Sequence, residues 1–305
     1  MTLPTKTASP VGRAASPGLR RIAGIGATPA AAGTPRTRSP LRSAARAIVP
    51  AAIALAAALG IWLAVTYLLL SPGRRFLVPP PQQVLTQSFL QWSHLQPMLA
   101  ALGLTAEVAV IGLLIASVLG IAAAIVMSQA GWLERGIYPY AVVLQTVPIL
   151  AIVPLIGLWF SYGFTSQVIV CVIIALFPMI ANTLFGIHSA SQGAHDLFTL
   201  HRASRWQRLI KLQLPAALPS IFTGLRTSSG LSVIGAIVGG FFFQQGSQSI
   251  GTLLDVYTSR LQSDDLFAAI ILASLFGVAV FAMFTLIGKA AVGRWYGNAR
   301  GGARD

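Results

Sequence analysis

The 305-residue chain is 55% hydrophobic and only 9% charged, with 21 Lys and Arg against 7 Asp and Glu, a formal net charge of +14. Composition this apolar excludes an ordinary soluble domain and indicates an integral membrane protein. The basic excess does not point to nucleic acid, because Lys and Arg avoid the apolar runs and gather at their ends, as a topology signal does. Cys171 is the single cysteine and lies in an apolar run without ligand partners. No disulfide framework or metal site is therefore available, and the thiol reads as a small buried apolar group.

Residues 1–45 are rich in Pro, Ala, Gly, Ser, Thr and Arg and contain no acidic residue. With almost no large apolar side chain, this stretch cannot bury a core, and a disordered basic cytoplasmic tail is expected. The first apolar run lies far from Met1 and no small-residue cleavage pattern follows it, so no secretory signal is expected. Residues 47–70 carry no charge and suffice to cross a ~30 Å hydrocarbon core at about 1.5 Å per residue. Ser71-Pro72-Gly73-Arg74-Arg75 ends this first span, and Pro79-Pro80-Pro81 stiffens a polar excursion reaching about residue 96.

Span two covers residues 98–127, interrupted by one ionisable residue, Glu107. Gly112, Ala116, Gly120 and Ala124 recur every fourth position and form a ridge where another helix can approach closely. A short polar link, residues 128–136, holds Glu134 and Arg135. No charged residue follows until Asp196, which is too long for one crossing. Residues 161–166 are the natural turn, dividing the run into span three (residues 137–160) and span four (residues 167–188). Pro148 and Pro154 in span three free carbonyls that neighbours or water must satisfy, which predicts a kinked, interior helix.

The stretch from His195 to Pro215 is polar and basic between two apolar runs. Ser204 and Gln207 have the form of a capping box and predict a helix start. Trp206, Leu209, Ile210 and Gln213 fall on one helical face and Arg205, Arg208 and Lys211 on the other. Pro215 disfavours α geometry at Leu214, so with Pro219 the helix is expected to end in a stiff turn. Span five, residues 220–243, carries a second small-residue ridge: Gly224, Ser228, Ser232, Ala236 and Gly240. A connector over residues 244–265 bears Asp255, Arg260, Asp264 and Asp265, and span six covers residues 266–288.

Residues 46–295 thus read as one domain of six transmembrane helices, all-α and polytopic, with a loop over residues 189–219 and a short tail, residues 296–305. Six spans with the N-terminus inside place every Lys and Arg except Arg74, Arg75 and Arg260 on the cytoplasmic side, in accord with the positive-inside rule.

Leu212-x-Leu214-Pro215 followed by Ala216-Ala217-Leu218-Pro219 resembles the end of the cytoplasmic coupling loop in binding-protein-dependent ABC importer permeases. That loop starts Glu-Ala-Ala, reaches a Gly, and ends Ile-x-Leu-Pro. Here Asp196-Leu197-Phe198 occupies the first three positions, Arg202 replaces the Gly and Leu212 replaces the Ile. Thr146-Val147-Pro148, Ala151, Pro154-Leu155, Trp159-Phe160 and Gly163 are similar to the permeases of nitrate, sulfonate and taurine importers. So are Phe177-Pro178, Asn182-Thr183 and Gly186, then Ser204-Arg205-Trp206-Gln207, Gly224-Leu225-Arg226 and Leu266-Phe267-Ala268-Ala269-Ile270. The likeness runs from about residue 79 to the end of span six.

The resemblance implies the MetI-like fold of a type I importer permease in a bacterial plasma membrane, with both termini cytoplasmic. It implies ABC ATPase subunits, an extracytoplasmic substrate-binding protein and a second permease, often an identical copy, as partners in the lipid bilayer. ATP and Mg would sit on the ATPase; this chain has no Gly-x-x-x-x-Gly-Lys-Ser/Thr phosphate loop and needs no cofactor. The coupling residues would be Asp196, Ser204, Arg205, Trp206, Arg208, Leu209, Ile210, Leu214, Pro215 and Pro219. Trp206 packing on its own spans, and the loop simply hugging anionic headgroups, are the competing readings.

For a pathway the polar residues within spans are the candidates: Gln145, Thr146, Asn182, Ser228, Ser232 and Glu107. Each also fits an interhelical hydrogen bond. The solute class implied is a nitrate-, sulfonate- or taurine-like anion or a heterocyclic vitamin or pyrimidine precursor. A stand-alone secondary carrier using Glu107 as a proton site is the alternative; further intramembrane charges and inverted repeats would favour it, and the sequence shows neither. No catalytic constellation is present, so no enzyme activity is expected.

Topology is directly testable. A cysteine at Lys211 is expected to react with a membrane-impermeant maleimide only after cells are permeabilised; reaction in intact cells would reverse the orientation.

Overall fold

The computed structural model describes residues 40–246 and 248–296; most of the expected basic tail and the residues after 296 lie outside them. Helix α1 (Pro40–Ala64) continues through a π turn, Val65–Leu69. A 3₁₀ turn (Pro72–Leu77), the short α2 (Pro81–Val84) and a second π turn (Leu85–Phe89) lead into α3 (Trp92–Ser128). After α4 (Gly131–Thr146) and α5 (Ile149–Phe160) comes α6 (Phe164–His188). The loop helices are α7 (Gln192–Leu200) and α8 (Arg205–Arg208), followed by α9 (Leu214–Phe242), α10 (Ile250–Ser259) and α11 (Ser263–Tyr296). Among the described residues five helices are long and apolar enough to cross a membrane, and the bent α4–α5 pair makes a sixth.

Small residues determine how the centre packs. Helix α6 lies most extensively against α9 and next against α3. On α3 the ridge of Gly112, Ala116, Gly120 and Ala124 is buried. A Cβ on Gly112 would stand 2.7 Å from Cys171 Cβ, and one on Gly120 2.6 Å from Met179 Cβ. From the opposite side, a Cβ on Gly235 of α9 would meet Cys171 Cα at 2.8 Å, and one on Gly239 would meet Gln167 Cα at 3.0 Å. Cys171 is fully enclosed between them, its Sγ 3.2 Å from the Ser232 carbonyl oxygen. Ser228 adds a hydrogen bond from its Oγ to the Ala175 carbonyl at 2.8 Å. The ridge on α9 is used as the four-residue spacing predicts except at Gly240, which faces Ser249 and Gly251 at the start of α10.

Four expectations need correction. The excursion after span one is helical: Pro80 is the extended N-cap and Pro81 the first helical residue, where a missing N–H costs nothing, and α3 starts at Trp92, not near residue 98. Span three is broken, not merely kinked. Its halves meet at 96° around Val147 and Pro148, because Pro148 cannot donate to α4 and both residues are extended. One face of α5 is core, with Val153, Ile156 and Gly157 buried, while Gln145, Thr146, Leu158 and Trp159 are exposed on the single chain.

Fourth, the loop helix does not end at Pro215. The chain is helical from Arg205 to Phe242. Over Leu209–Gln213 it widens into a π turn, and the Leu214 N–H bonds the Leu209 carbonyl. That register gives the pyrrolidine ring of Pro215 room where an α turn would clash, so Leu214 keeps α geometry at φ −63°, ψ −45°. The connector after span five also contains an unanticipated helix, α10, whose Ile250, Leu253 and Tyr257 are buried against Met98, Ala268 and Ala269.

Asp265 sits in the first turn of α11, where the helix dipole favours a carboxylate. It accepts a hydrogen bond from Ser88 Oγ at 2.7 Å and lies 3.0 Å from His94 Nδ1. This cluster, buried at Ser88 and Asp265 and open at His94, ties the α2–α3 segment to α11. Trp62 fastens the end of α1 to the same region, through Nε1 to the Pro79 carbonyl at 3.0 Å and a stack on Phe267.

Gly112→Ala is expected to destabilise the chain by about 1–3 kcal/mol through overpacking, read as a lower melting temperature in detergent. Adding Cys171→Ala should recover part of the loss, because the added methyl and the thiol compete for one space; strict additivity would refute the contact.

Candidate functional site

The loop between α6 and α9 is a built structure rather than a tether. Ser191 caps α7 by accepting from the Ala194 N–H at 3.4 Å. The helix ends in a Schellman motif: the Ala203 N–H reaches the Phe198 carbonyl and the Arg202 N–H the Thr199 carbonyl, both at 3.0 Å. Arg202 takes the left-handed position at φ 49°. Its replacement of a Gly thus falls at the one loop residue where a side chain is penalised.

Ser204 and Gln207 form the capping box as predicted, with the Gln207 N–H donating to Ser204 Oγ at 3.2 Å and the Ser204 N–H to Gln207 Oε1 at 3.0 Å. Arg208 Nη2 donates to Thr199 Oγ1 at 2.9 Å and ties α8 to α7. Leu209 is 1% exposed, and its π turn touches α6. Trp206, by contrast, is 66% exposed and Ile210 59%. The apolar face inferred from spacing is therefore divided: Leu209 seats the helix on its own bundle, while Trp206 and Ile210 face outward. Leu197 and Leu200 of α7 are exposed as well, with Asp196, Arg202, Arg205 and Lys211 exposed around them. An apolar cluster with a mostly basic rim has the composition of a protein docking surface. Leu214, Pro215 and Pro219 lie in the helix that carries this surface into α9.

A second tie at this end of the bundle was not anticipated. His188 Nε2, in the last turn of α6, lies 3.2 Å from Glu134 Oε2 of α4. Its sequence signal was thin: each residue sits beside a span end, and nothing local pairs them.

The polar span residues divide into separate groups. Gln145 borders a cavity of about 290 Å³ at the α4–α5 break, shared with Ile149, Phe177, Pro178 and Leu231. Thr146 is adjacent, its Oγ1 donating to the Val143 carbonyl at 2.8 Å. Asn182 is half-buried one turn beyond that cavity, its Nδ2 donating to the Pro178 carbonyl at 2.8 Å. Ser228 and Ser232 are enclosed in the α6–α9 seam, where Ser228 bonds Ala175 across helices and Ser232 bonds Ser229 on its own helix. Glu107 is exposed on α3, apart from both groups. No group of three or more His, Cys, Asp or Glu able to hold a metal occurs among the described residues.

Residues 116–294 match a family model described as binding-protein-dependent transport system inner membrane component. The chain is 33% identical over 215 residues to a formylaminopyrimidine transport permease protein of Halalkalibacterium halodurans, covering 69% of this chain and 82% of that one. It is 29% identical over 255 residues to a nitrate import permease protein of Leptolyngbya laminosa, covering 81% of this chain and 88% of the relative. A taurine transport system permease protein of Escherichia coli is 28% identical over 252 residues, 78% of this chain and 86% of that protein.

Replacing Arg202 with Gly relieves the left-handed penalty and is expected to stabilise the loop by roughly 1 kcal/mol. Slower limited proteolysis between α7 and α8 would register it; faster cleavage would contradict the Schellman geometry.

Proposed function

The chain belongs to the family of binding-protein-dependent transport system inner membrane components, and from that premise we propose that it forms half of a solute pathway driven by ATP hydrolysis on a separate subunit. Its relatives place it among the ABC transporter permeases of the nitrate, sulfonate and taurine branch. The observation that carries the coupling role is the exposed Trp206 and Ile210 on a helix continuous with α9. In this reading the two side chains enter a groove on an ABC ATPase, and Arg205 and Lys211 meet acidic groups at its rim. Ser204 and Arg208 hold the loop in shape, while Leu209, Leu214, Pro215 and Pro219 connect it to the bundle. Asp196 stands at the edge of the same surface.

A push on α8 would pass without a joint into α9, and through the Ser228 and Cys171 contacts into α6 and α3. Inward and outward forms would then be two packings of these helices, selected by closure of the ATPase pair. The loop and both termini lie in the cytoplasm on this account, and a second permease, identical in the simplest arrangement, completes the pathway. An extracytoplasmic binding protein delivers the solute. Relatives are named for formylaminopyrimidine, riboflavin, nitrate, aliphatic sulfonates, bicarbonate and taurine, which fits a small anion or a heterocyclic precursor here. Gln145, Thr146 and Asn182, beside the α4–α5 break, are the side chains open enough to meet it, whereas Ser228 and Ser232 serve helix packing. Nucleotide and Mg stay on the partner, and this subunit performs no chemistry.

Trp206→Ala and Ile210→Ala each remove an exposed side chain and are expected to weaken ATPase association by about 2 kcal/mol, roughly 30-fold, with an unchanged melting temperature. Association at wild-type strength in the double variant would refute the docking surface. Transport that survives ATP depletion but fails in Glu107→Gln would instead make the chain a secondary carrier.

A further inference from the structure

We infer that the cleft between α9 and α11 is a binding site for an anionic phospholipid, with its headgroup on Arg226 and Lys289 and an acyl chain in the groove beyond. The cleft lies at the same end of the bundle as the α7–α8 loop. It encloses about 420 Å³, and its walls include Phe222, Thr223, Phe284 and Thr285 besides the two cations.

Arg226 sits inside an otherwise apolar stretch of α9, roughly 9 Å beyond Ser220 at 1.5 Å per residue. So near the cytoplasmic end of the span, a long Arg side chain snorkels to the level of the lipid phosphates. Its guanidinium rests on the Phe281 ring, 4.3 Å from the centroid, which orients the group but leaves its charge unneutralised. Among the described residues the ion pairs are His94–Asp265 and His188–Glu134, and neither involves Arg226 or Lys289. Both neighbouring threonines donate back to their own helices, Thr223 to Pro219 and Thr285 to Phe281. An incoming anion would therefore meet two cations and hydroxyl oxygens already committed as donors.

Phe281, the ring under Arg226, lines a neighbouring groove of about 640 Å³ along α9 and α11. Gly230, Leu231, Ile234, Ala273, Gly277 and Val278 line it, almost wholly apolar. A small inorganic anion gains nothing from such a groove, whereas a fatty acyl chain is suited to it. A two-cation cleft beside an open apolar groove suits a ligand that is anionic at one end and aliphatic at the other.

The test is native mass spectrometry of the full-length chain in detergent, titrated with phosphatidylglycerol and with phosphatidylcholine of the same acyl chains. Preferential retention of phosphatidylglycerol is expected, falling roughly fivefold for each cation removed in Arg226→Gln and Lys289→Gln. Arg226→Lys and Lys289→Arg should keep it, which guards against misfolding as the cause. A control, Arg74→Gln with Arg75→Gln, should leave the preference intact. Equal retention of both lipids, an undiminished preference in the double Gln variant, or an equal loss in the control would overturn the assignment. Millimolar inorganic phosphate raising the melting temperature as much as phosphatidylglycerol would mean a free-anion site. Conversion of dimer to monomer by the double Gln variant would mean that a second copy occupies the cleft.

Discussion

Three helix backbones converge on Cys171, and the rest of the bundle is arranged around that approach. Gly112 from α3 and Gly235 from α9 stand against the cysteine from two sides, at distances that leave no room for a Cβ. In a bilayer the lipid tails are as apolar as the side chains, so burial alone does not drive helices together; close van der Waals contact and hydrogen bonds must. The small-residue ridges supply the first. The Ser228 hydroxyl, bonded to the Ala175 carbonyl, supplies one of the second. With α6 held between α3 and α9, this seam is the most extensively packed part of the bundle.

The same seam explains how the loop is held. Helix α9 does not stop at the bundle's edge but continues through a π turn into α8. A proline inside a helix ordinarily weakens it, yet here the widened turn precedes Pro215 and takes up the missing donor. Leu209 anchors the turn on its own bundle, Arg208 binds α8 to Thr199 of α7, and His188 meets Glu134 nearby. These ties leave Trp206 and Ile210 facing outward on a support without a flexible joint. A continuous helix thus stands where Pro215 and Pro219 by themselves suggest a stiff turn.

Much of this was legible beforehand because the relevant signals are local or strictly periodic. The four-residue spacing of Gly112, Ala116, Gly120 and Ala124 marks a contact ridge wherever its partner lies. The Ser204–Gln207 box lies within four consecutive residues and formed as written. The replacement at Arg202 was visible as a departure from a Gly position, although its meaning, a left-handed C′ residue, required the Schellman hydrogen bonds. Other features were hidden for identifiable reasons. Helix α10 is short and interrupted by polar residues, so its buried stripe of Ile250, Leu253 and Tyr257 does not stand out among connectors. Asp265 reads as one more connector charge until Ser88 and His94, far away in sequence, close around it.

Hydropathy, charge placement and ridge spacing were enough to establish a polytopic helical membrane protein, its approximate crossings and the stretch that leaves the bundle between α6 and α9. Each depends on side-chain chemistry repeated along one segment, and such repetition survives whatever the segment packs against. The break at Pro148, the unbroken passage through Pro215 and the outward turn of Trp206 depended on tertiary packing. A proline restricts its own residue and the one before it, but whether the chain bends or widens there is settled by the neighbours that must fill the space and accept the freed hydrogen bonds.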